Sequence, residues 1–424
     1  MAYLCFDIGS SALKAAVLSE EGRLLSVSRS PVSLTIGPNG AHESNPRQWV
    51  SAALSSGFAA IAEARLAFPR LIVRALAVSG NGPTLLATDG NGAPIGPALS
   101  WLDRRAVTEA EEVSALARRT IDPSFYLPKA LRVWRSASAA ERKSIRWFFA
   151  CPEYLLYALC GEAVTCLPSP GYEPYIWDLS AISALGLPAD RFPPYLPPAA
   201  IAGRLLPMIA DRLGIAAGIP AVVGFPDFLA AVVGSGSVEI GIACDRTGTS
   251  EALNLCADRP FPRRDLLSLP HPITGLWNAS RRAAFAGLSS SQGRPDLARA
   301  ACESLAYGLR LSTDLARAEG FPIDLIRASG HAANDDFLCE LKSDILGLPV
   351  EVPEITDCEL AGDAAACACA LGDAATISEA ARAFVKVRRR FEPRASVAYE
   401  GAYEHFKDAL AALEAVDLHQ AELE

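Results

Sequence analysis

The sequence predicts an α/β protein that folds as two lobes. Each half of the chain opens with short strands around a turn rich in glycine, serine and threonine, and helices follow. The chain has 424 residues and 50% of them are hydrophobic, which is enough for two domains with cores of their own. We therefore expect a first lobe over residues 1–222, a second lobe over residues 223–424 and a ligand cleft where they meet.

Strands joined by turns are predicted for the N-terminal segment. Three strands are expected there, over residues 3–6, 13–18 and 24–28. A helix over residues 46–64 follows, because Asn45 can cap it and Pro46 suits its first turn. Residues 76–79 form the next strand, and the Asp-Gly-Asn-Gly sequence at 89–92 predicts the turn of a hairpin.

The second half alternates strands and helices in the same way. A helix over residues 295–319 is bounded by Pro295 and Asp296 at its start and by Gly320 at its end. The later elements are a strand at 325–328, a helix at 335–346, a strand at 349–352, a helix at 358–371 and two further amphipathic helices. Arg388, Arg389 and Arg390 would lie on the solvated face of one of those last helices.

Composition excludes several classes of protein. The net charge of −9 and the pI of 5.3 argue against non-specific nucleic-acid binding. The 11 cysteines lie mostly in apolar surroundings, which predicts reduced thiols and a cytoplasmic protein. The first residues have no basic region typical of a signal peptide, and no apolar run approaches the ~20 residues that span a bilayer. With five histidines, a metal-hydrolase site is not expected.

Residues 224–250 combine an acid with a turn shaped for phosphate. Asp227 follows Pro226 at the mouth of an apolar helix, where it could cap the helix or serve as a base. The turn at 247–250 could cradle phosphate with backbone N–H groups and hydroxyls. A phosphoryl-transfer enzyme needs at least an acid that can act as a base and a group of donors that binds phosphate.

A similar turn lies near the N-terminus, at residues 9–11. Taken alone it predicts an ordinary hairpin. Because the pattern recurs at 247–250, the two hairpins could face each other across a bound polyphosphate. Asp7 would then hold hydrated Mg²⁺, and Lys14 would neutralise phosphate charge.

Two further segments suit ligand contact. In the cluster at 101–105, Trp101 offers an aromatic face, Asp103 accepts from hydroxyls and Arg105 donates; the alternative is a surface salt bridge. The turn at 329–331 would let a ligand approach the backbone; the alternative is a helix entry capped by Asn334, with His331 filling space.

Together these segments resemble the FGGY family of carbohydrate kinases, with a xylulose-kinase-like character. Residues 7–14 resemble the first phosphate loop of the family, and 101–105 its Trp-x-Asp-x-Arg motif. Residues 283–303 resemble one of its signatures, and 326–347 its adenosine segment. The resemblance covers nearly the whole chain and implies the two-lobed actin/hexokinase-like (ribonuclease H-like) ATPase fold.

The resemblance also implies the site residues. Asp227 would be the catalytic base. The sugar would contact Asn81, Gly82, Trp101, Asp103, Arg105 and Asp227. ATP and its phosphates would contact Asp7, Gly9, Ser10, Ser11, Lys14, Thr247, Gly248, Thr249, Ser250, Gly330, His331 and Asn334. Mg²⁺ would be held, through water, by Asp7 and Asp227.

The function implied is ATP-dependent phosphorylation of a pentulose such as xylulose, or of a related keto sugar or polyol. A homodimer is compatible with the family, and no nucleic-acid or membrane partner is expected. The alternative is a non-catalytic FGGY-like protein that binds sugar or nucleotide as a sensor or partner. Two departures favour it: His331 follows Gly330 where the family repeats glycine, and the C-terminal lobe is predicted to be shortened near residues 280–283.

Overall fold

The structure is a computed structural model that describes residues 1–248, 251–259, 267–268, 273–274, 285, 288–394 and 397–421. Its strands, in chain order, are β1 (Ala2–Ile8), β2 (Ala12–Ser19), β3 (Leu24–Pro31), β4 (Leu34–Ile36), β5 (His42–Ser44), β6 (Val73–Gly80), β7 (Leu85–Thr88), β8 (Pro94–Leu99), β9 (Trp147–Ala150), β10 (Thr165–Cys166), β11 (Tyr195–Leu196), β12 (Ile201–Arg204), β13 (Pro220–Pro226), β14 (Gly241–Thr247), β15 (Glu251–Leu255), β16 (Leu267–Ser268), β17 (Ile273–Thr274), β18 (Ile323–Gly330), β19 (Val350–Pro353) and β20 (Val387–Phe391).

The α-helices are α1 (Pro46–Ala67), α2 (Val107–Ala117), α3 (Tyr126–Ser136), α4 (Ala139–Ser144), α5 (Cys151–Cys160), α6 (Glu173–Ile176), α7 (Leu179–Ala184), α8 (Pro207–Leu213), α9 (Asp227–Gly234), α10 (Arg294–Ala318), α11 (Asp336–Leu346), α12 (Cys358–Ala370), α13 (Ile377–Phe384) and α14 (Val397–Ala421). Short 3₁₀ turns lie at Pro38–Gly40, Ala189–Arg191 and His331–Asn334. In the part of the chain that the structure describes, no helix is long and apolar enough to cross a membrane.

The chain divides into two compact units. The first unit contains Met1–Gly236 and Asp357–Val385, and the second contains Ser237–Thr356 and Lys386–Glu424. The lobes expected from the sequence, 1–222 and 223–424, differ from these units because they assign residues 223–236, with α9 and Asp227, and also α12 and α13 to the second half. Helix α12 packs against α9 and against β1, β6 and β13, and such long-range contacts are not visible in a linear sequence.

The first unit is built on a six-stranded sheet with the order β12-β13-β6-β1-β2-β3. Strand β1 is antiparallel to β2 and parallel to β6, and β6 is parallel to β13. All seven residues of β1 are buried, as expected for a central strand covered on both faces. Because β1, β6 and β13 run in parallel, their carboxyl ends meet at one edge of the sheet, where ligands bind in folds of this kind.

The second unit is built on a five-stranded sheet with the order β15-β14-β18-β19-β20. Strand β14 forms an antiparallel hairpin with β15 and is parallel to β18, which is parallel to β19. Strand β20 then pairs antiparallel with β19. The first sheet contains the same succession of one antiparallel, two parallel and one antiparallel pairing, so the two sheets share a strand plan.

Most local predictions are confirmed, with ends displaced by a few residues. The three N-terminal strands and α1 form where expected, and the side chain of Asn45 accepts a hydrogen bond from the Arg47 amide at 3.1 Å. The turn at 89–92 is closed by a hydrogen bond from the Gly92 amide to the Asp89 carbonyl at 3.1 Å. Gly320 adopts a positive φ of 81° just beyond α10.

One local expectation is wrong, and so are two of the alternatives that the sequence left open. Arg388, Arg389 and Arg390 lie in β20 and not on a helix, because their backbone pairs with β19. The cap of α11 is Asp335, which accepts from the Leu338 amide at 3.2 Å, and not Asn334. Asp227 is the first residue of α9 and Pro226 is the N-cap residue, so Asp227 does not cap that helix.

Small residues allow α9 and α12 to pack closely. A Cβ atom on Gly234 would lie 2.6 Å from the backbone nitrogen of Gly362, and one on Gly362 would lie 2.8 Å from the carbonyl carbon of Ala230. In the run of alanine and cysteine at the end of α12, residues 364–368 are buried and Cys369 is half-buried; its cysteines are free thiols. The cysteine-rich segment therefore serves close packing.

We predict that Gly362→Ala destabilises the protein by about 1–3 kcal/mol, because the added methyl group overlaps backbone atoms that cannot move aside. The matched control is Gly308→Ala in α10, where a Cβ atom would meet nothing within 4 Å. That variant should be stabilised by up to ~1 kcal/mol, because alanine favours a helix over glycine. Chemical denaturation of both variants measures the difference; equal stability would contradict the packing described here.

Candidate functional site

The carboxylate of Asp7 lies at the end of β1 and is almost completely buried. It accepts hydrogen bonds from the Ser79 hydroxyl at 3.3 Å and from the Lys14 ammonium at 3.3 Å. Lys14 also pairs with Asp357 at 3.0 Å, and Asp357 in turn binds Arg29. Burial would lower the pKa of Lys14, but the carboxylates around it, Asp7 first, raise it well above its ordinary value. The ammonium group is therefore always charged.

The predicted phosphate turn of the first unit is tight. The Gly9 amide donates to the Ala12 carbonyl at 3.0 Å, and a Cβ atom on Gly9 would lie 2.9 Å from that oxygen. Ser10 is partly exposed and its hydroxyl accepts from the indole nitrogen of Trp101 at 3.0 Å, while Ser11 is exposed. The structure thus brings one predicted sugar contact, Trp101, against one predicted phosphate contact, Ser10.

Asn81 follows β6 and is held from several sides. Its amide donates to the Ile8 carbonyl at 2.8 Å, and its side-chain oxygen accepts from the Thr84 hydroxyl at 2.6 Å. The Cys151 thiol donates to its carbonyl at 3.0 Å. These contacts fix the Asn81 side chain and leave the N–H groups of its side-chain amide available to a ligand.

Asp103 and Arg105 form a buried pair. The Asp103 carboxylate is fully buried and accepts from the His42 amide at 3.1 Å and from the Arg105 guanidinium at 2.6 Å. Burial would raise the pKa of Asp103, but the hydrogen bonds from Arg105 and His42 lower it. Arg105 also binds Glu43 at 2.6 Å. The carboxylate positions Arg105, and direct contact between Asp103 and a sugar stays a prediction.

Lys129 lies beside the predicted sugar contacts, and the sequence did not indicate its partners. Its ammonium group is fully buried and donates to the carbonyl oxygens of Pro83 at 2.7 Å and Ser100 at 2.6 Å. It therefore joins the segment after β6 to the segment that contains Trp101. Burial lowers the pKa of Lys129 to about 7. The signal in the sequence is a lysine inside an otherwise apolar helical turn, with Leu127 and Leu131 on either side.

Asp227 is buried at the start of α9, and its carboxylate accepts from the Phe228 amide at 2.7 Å. A carboxylate at this end of a helix is stabilised by the helix dipole. The strand that leads to it is fixed by Cys166, whose thiol donates to the Gly224 carbonyl at 3.4 Å and whose amide donates to Glu153 at 3.0 Å.

Two further buried acids lie near this strand. The second carboxylate oxygen of Glu153 has no hydrogen-bond partner among the described residues, and burial raises the pKa of Glu153 to about 7. Asp363 on α12 is fully buried; a Cβ atom on Gly224 would lie 2.6 Å from one of its oxygens. Burial raises the pKa of Asp363 well above its ordinary value. Both acids are missed by sequence reasoning because their burial depends on long-range packing.

In the second unit, Lys342 lies beneath the predicted phosphate hairpin. Its ammonium group binds Asp245 at 2.6 Å, the Thr247 hydroxyl at 3.0 Å and Glu251 at 2.5 Å. Burial would lower the pKa of Lys342, but Asp245 and Glu251 raise it above its ordinary value. This buried cluster joins both strands of the hairpin to α11. A charged residue within the apolar pattern of α11 is its only signal in the sequence.

Thr247 and Gly330 meet at the carboxyl ends of β14 and β18, where they are partners in the parallel register. Gly330 has a φ of 88°, and a Cβ atom there would overlap the Thr247 backbone, so glycine is required. His331 is exposed, and the Asn334 side chain donates to the Thr356 hydroxyl at 3.1 Å. The structure thus groups Thr247, Gly330 and His331, and Gly248 beside them faces open space.

Several predicted features lie outside the described residues. They are Thr249 and Ser250 of the hairpin, most of the signature at 283–288 and the shortened stretch near 280–283. Their proposed roles stay predictions.

Comparison with known proteins gives consistent matches along the chain. The model of the FGGY family of carbohydrate kinases, N-terminal domain, matches residues 2–234, and that of the C-terminal domain matches residues 266–371. A xylulose kinase of Staphylococcus epidermidis is 23% identical over 92% of each chain.

Solved structures show the same fold. The ligand-bound xylulose kinase from Lactobacillus acidophilus has a TM-score of 0.85 at 16% identity and covers 98% of each chain. The gluconate kinase from the same organism has a TM-score of 0.84 at 16% identity, covering 97% of this chain and 98% of its own. The expected actin/hexokinase-like fold is confirmed.

We predict that Glu153→Gln removes a pH dependence of stability. The pKa of Glu153 rises from an ordinary value of 4.5 to about 7 in the folded protein, so the folded state holds the proton more tightly than the unfolded state. This contribution is fully present below pH ~4.5 and is lost as the pH rises through ~7, by about 3 kcal/mol in all.

Denaturant unfolding of the wild type and of Glu153→Gln between pH 5 and 8 tests this. The stability of the wild type relative to the variant should fall as the pH rises. A difference that does not change with pH would show that Glu153 is ionised in the folded protein.

Proposed function

The chain belongs to the FGGY family of carbohydrate kinases, and we propose that its substrate is a neutral keto sugar or polyol, with a pentulose such as xylulose as the first candidate. The family match identifies the chain as an enzyme that phosphorylates a sugar at the expense of ATP. The comparisons give no support to the non-catalytic alternative, since the relatives named above are kinases.

The observation that supports a neutral substrate is the pairing of the cations in the first unit. Among the predicted sugar and phosphate contacts there, Lys14 and Arg105 are the cations. Lys14 binds Asp7 and Asp357, and Arg105 binds Asp103 and Glu43. Because two carboxylates already balance the positive charge of each cation, neither cation would attract the carboxylate of a sugar acid strongly.

The surroundings of Asp227 support the same proposal. Burial raises the pKa of the Cys151 thiol, and the acids Glu153, Asp227 and Asp7 raise it further. A substrate carboxylate brought to this end of the sheet would meet several acids in a poorly solvated environment, where repulsion is strong. Hydroxyl groups, in contrast, can donate to these acids.

We assign to Asp227 the role of base. Its carboxylate is fixed by the Phe228 amide at the start of α9 and would accept the proton of the sugar hydroxyl that attacks the γ-phosphate. In the loose transition state of phosphoryl transfer that proton leaves late. Asp227 would therefore contribute to the rate more by orienting the hydroxyl than by its basicity. Asn81, Gly82 and Trp101 would hold the sugar against it.

ATP is assigned to the remaining predicted contacts. Gly9, Ser10, Thr247 and Gly248 would bind phosphates through backbone amides and hydroxyls, with Gly330 and His331 near the nucleoside. The buried carboxylates of Asp7 and Asp227 suit hydrated Mg²⁺, which prefers oxygen ligands and, when bound with ATP, neutralises phosphate charge. A cytoplasmic location and a homodimer remain part of the proposal.

The first test is ADP release by the purified chain with ATP and Mg²⁺. We expect stimulation by at least one neutral pentulose, hexulose or polyol, and little by gluconate or another sugar acid at the same concentration. Gluconate as the best substrate would contradict the neutral-substrate proposal. Failure of every sugar, with retained ATP binding, would favour the sensor alternative.

The second test is Asp227→Asn. We expect kcat with the best sugar to fall by a factor of about 10² or more, because the amide can neither accept the proton nor orient the hydroxyl in the same way. The KM for ATP should change little. Asp211→Asn, at an exposed position on α8, is the control and should be unchanged. Retained turnover in Asp227→Asn would remove this residue from the mechanism.

A further inference from the structure

We propose that Tyr126 and Gly82 form a matched pair that selects the sugar: the Tyr126 hydroxyl occupies the space of a side chain at position 82 and exchanges a hydrogen bond with a sugar hydroxyl. Neither the family matches nor the sequence motifs point to Tyr126. The inference rests on the proposed sugar kinase function, because it concerns how that same site recognises its substrate.

A side chain at position 82 would clash with the Tyr126 hydroxyl. A Cβ atom built on Gly82 would lie 2.5 Å from the Tyr126 hydroxyl oxygen but 3.6 Å from the ring carbon that bears it. The first distance is a clash and the second is an ordinary contact. The hydroxyl group alone therefore fills the position that any side chain at 82 would need.

The Tyr126 ring is held in place by its neighbours in the core. Tyr126 is the first residue of α3, and only 9% of it is exposed. Its ring packs edge-to-face against the indole of Trp177, with the ring centroids 5.9 Å apart. The position of the hydroxyl is therefore set by the core of the first unit.

The Tyr126 hydroxyl makes no hydrogen bond in the ranges that the structure describes, although the residue is nine-tenths buried. Its oxygen is not among the completely buried polar atoms that lack a partner, so the hydroxyl can be reached from outside the core. A sugar hydroxyl could therefore bond to it directly. Position 82 directly follows Asn81, whose side-chain amide nitrogen also keeps its donors.

The Tyr126 phenol is held in its protonated form. Burial raises the pKa of Tyr126 well above its ordinary value, and Glu153, Cys151, Tyr172 and Asp227 raise it further, in that order. The phenol is therefore neutral and can either donate a hydrogen bond to a sugar hydroxyl or accept one from it.

Tyr126→Phe in the full-length protein tests the hydrogen bond. It removes one oxygen and keeps the ring against Trp177. We expect the KM for the best sugar to rise by about tenfold and the KM for ATP to change by less than about twofold. The matched control is Tyr154→Phe, a buried tyrosine whose ring packs against Trp49 and Phe149. It should leave both KM values unchanged.

Gly82→Ala tests the steric pairing. Alone it should weaken sugar binding, because the new methyl group and the Tyr126 hydroxyl cannot both occupy the site. In Gly82→Ala combined with Tyr126→Phe, the nearest ring atom would lie at the ordinary distance of 3.6 Å. The second substitution should therefore recover part of the loss and change the ranking of sugars in the panel.

The outcomes separate this inference from the function it rests on. If the wild type is active but Tyr126→Phe keeps the sugar KM within about twofold, the hydroxyl is not a sugar contact and the inference is wrong while the function stands. If the effects of Gly82→Ala and Tyr126→Phe on the sugar KM simply multiply in the double variant, the steric pairing is wrong. If the wild type neither turns over nor gains thermal stability with any sugar, both proposals are overturned.

Discussion

The first unit depends on the parallel alignment of β1, β6 and β13. Because these strands run in the same direction, their carboxyl ends lie at one edge of the sheet. Asp7, Asn81 and Asp227 are the residues at or just beyond these ends. In the ladder, Asp7 is the partner of Ser79, and Pro226 is the partner of Gly80. A slip of one residue in this register would turn Asp7 to the other face of the sheet and separate the groups of the proposed site.

Cations in both units are paired with carboxylates in the same way. Lys14, Arg105 and Lys342 each bind two carboxylates, and the chain holds these cations in fixed positions by hydrogen bonds at their head groups. Glu153 has an oxygen with no such partner, and its raised pKa shows that burial favours its neutral form. The charges of these three cations are thus neutralised within the protein. The proposed site would therefore offer a substrate hydrogen-bonding groups in an acidic environment, which suits hydroxyl groups.

Local signals in the sequence were sufficient for the first three strands, for α1 and for the hairpin turn at 89–92. Asn45, Gly320 and the turn at 89–92 act through neighbours a few residues away, so their patterns could be read directly. The residues that sequence reasoning missed act at long range. Tyr126 meets Gly82, and Lys342 meets Asp245, only because the chain folds back. Arg388–Arg390 were misassigned for the same reason, since pairing with β19 overrides their helical pattern.

The proposed reaction transfers the γ-phosphate of ATP to a hydroxyl of a neutral sugar. The most direct measurement follows radiolabelled phosphate from [γ-³²P]ATP into products separated by chromatography, with xylulose and gluconate as the compared acceptors. We expect label in the phosphorylated neutral sugar, in an amount equal to the ADP formed. Label found in inorganic phosphate alone, or transferred preferentially to gluconate, would contradict it.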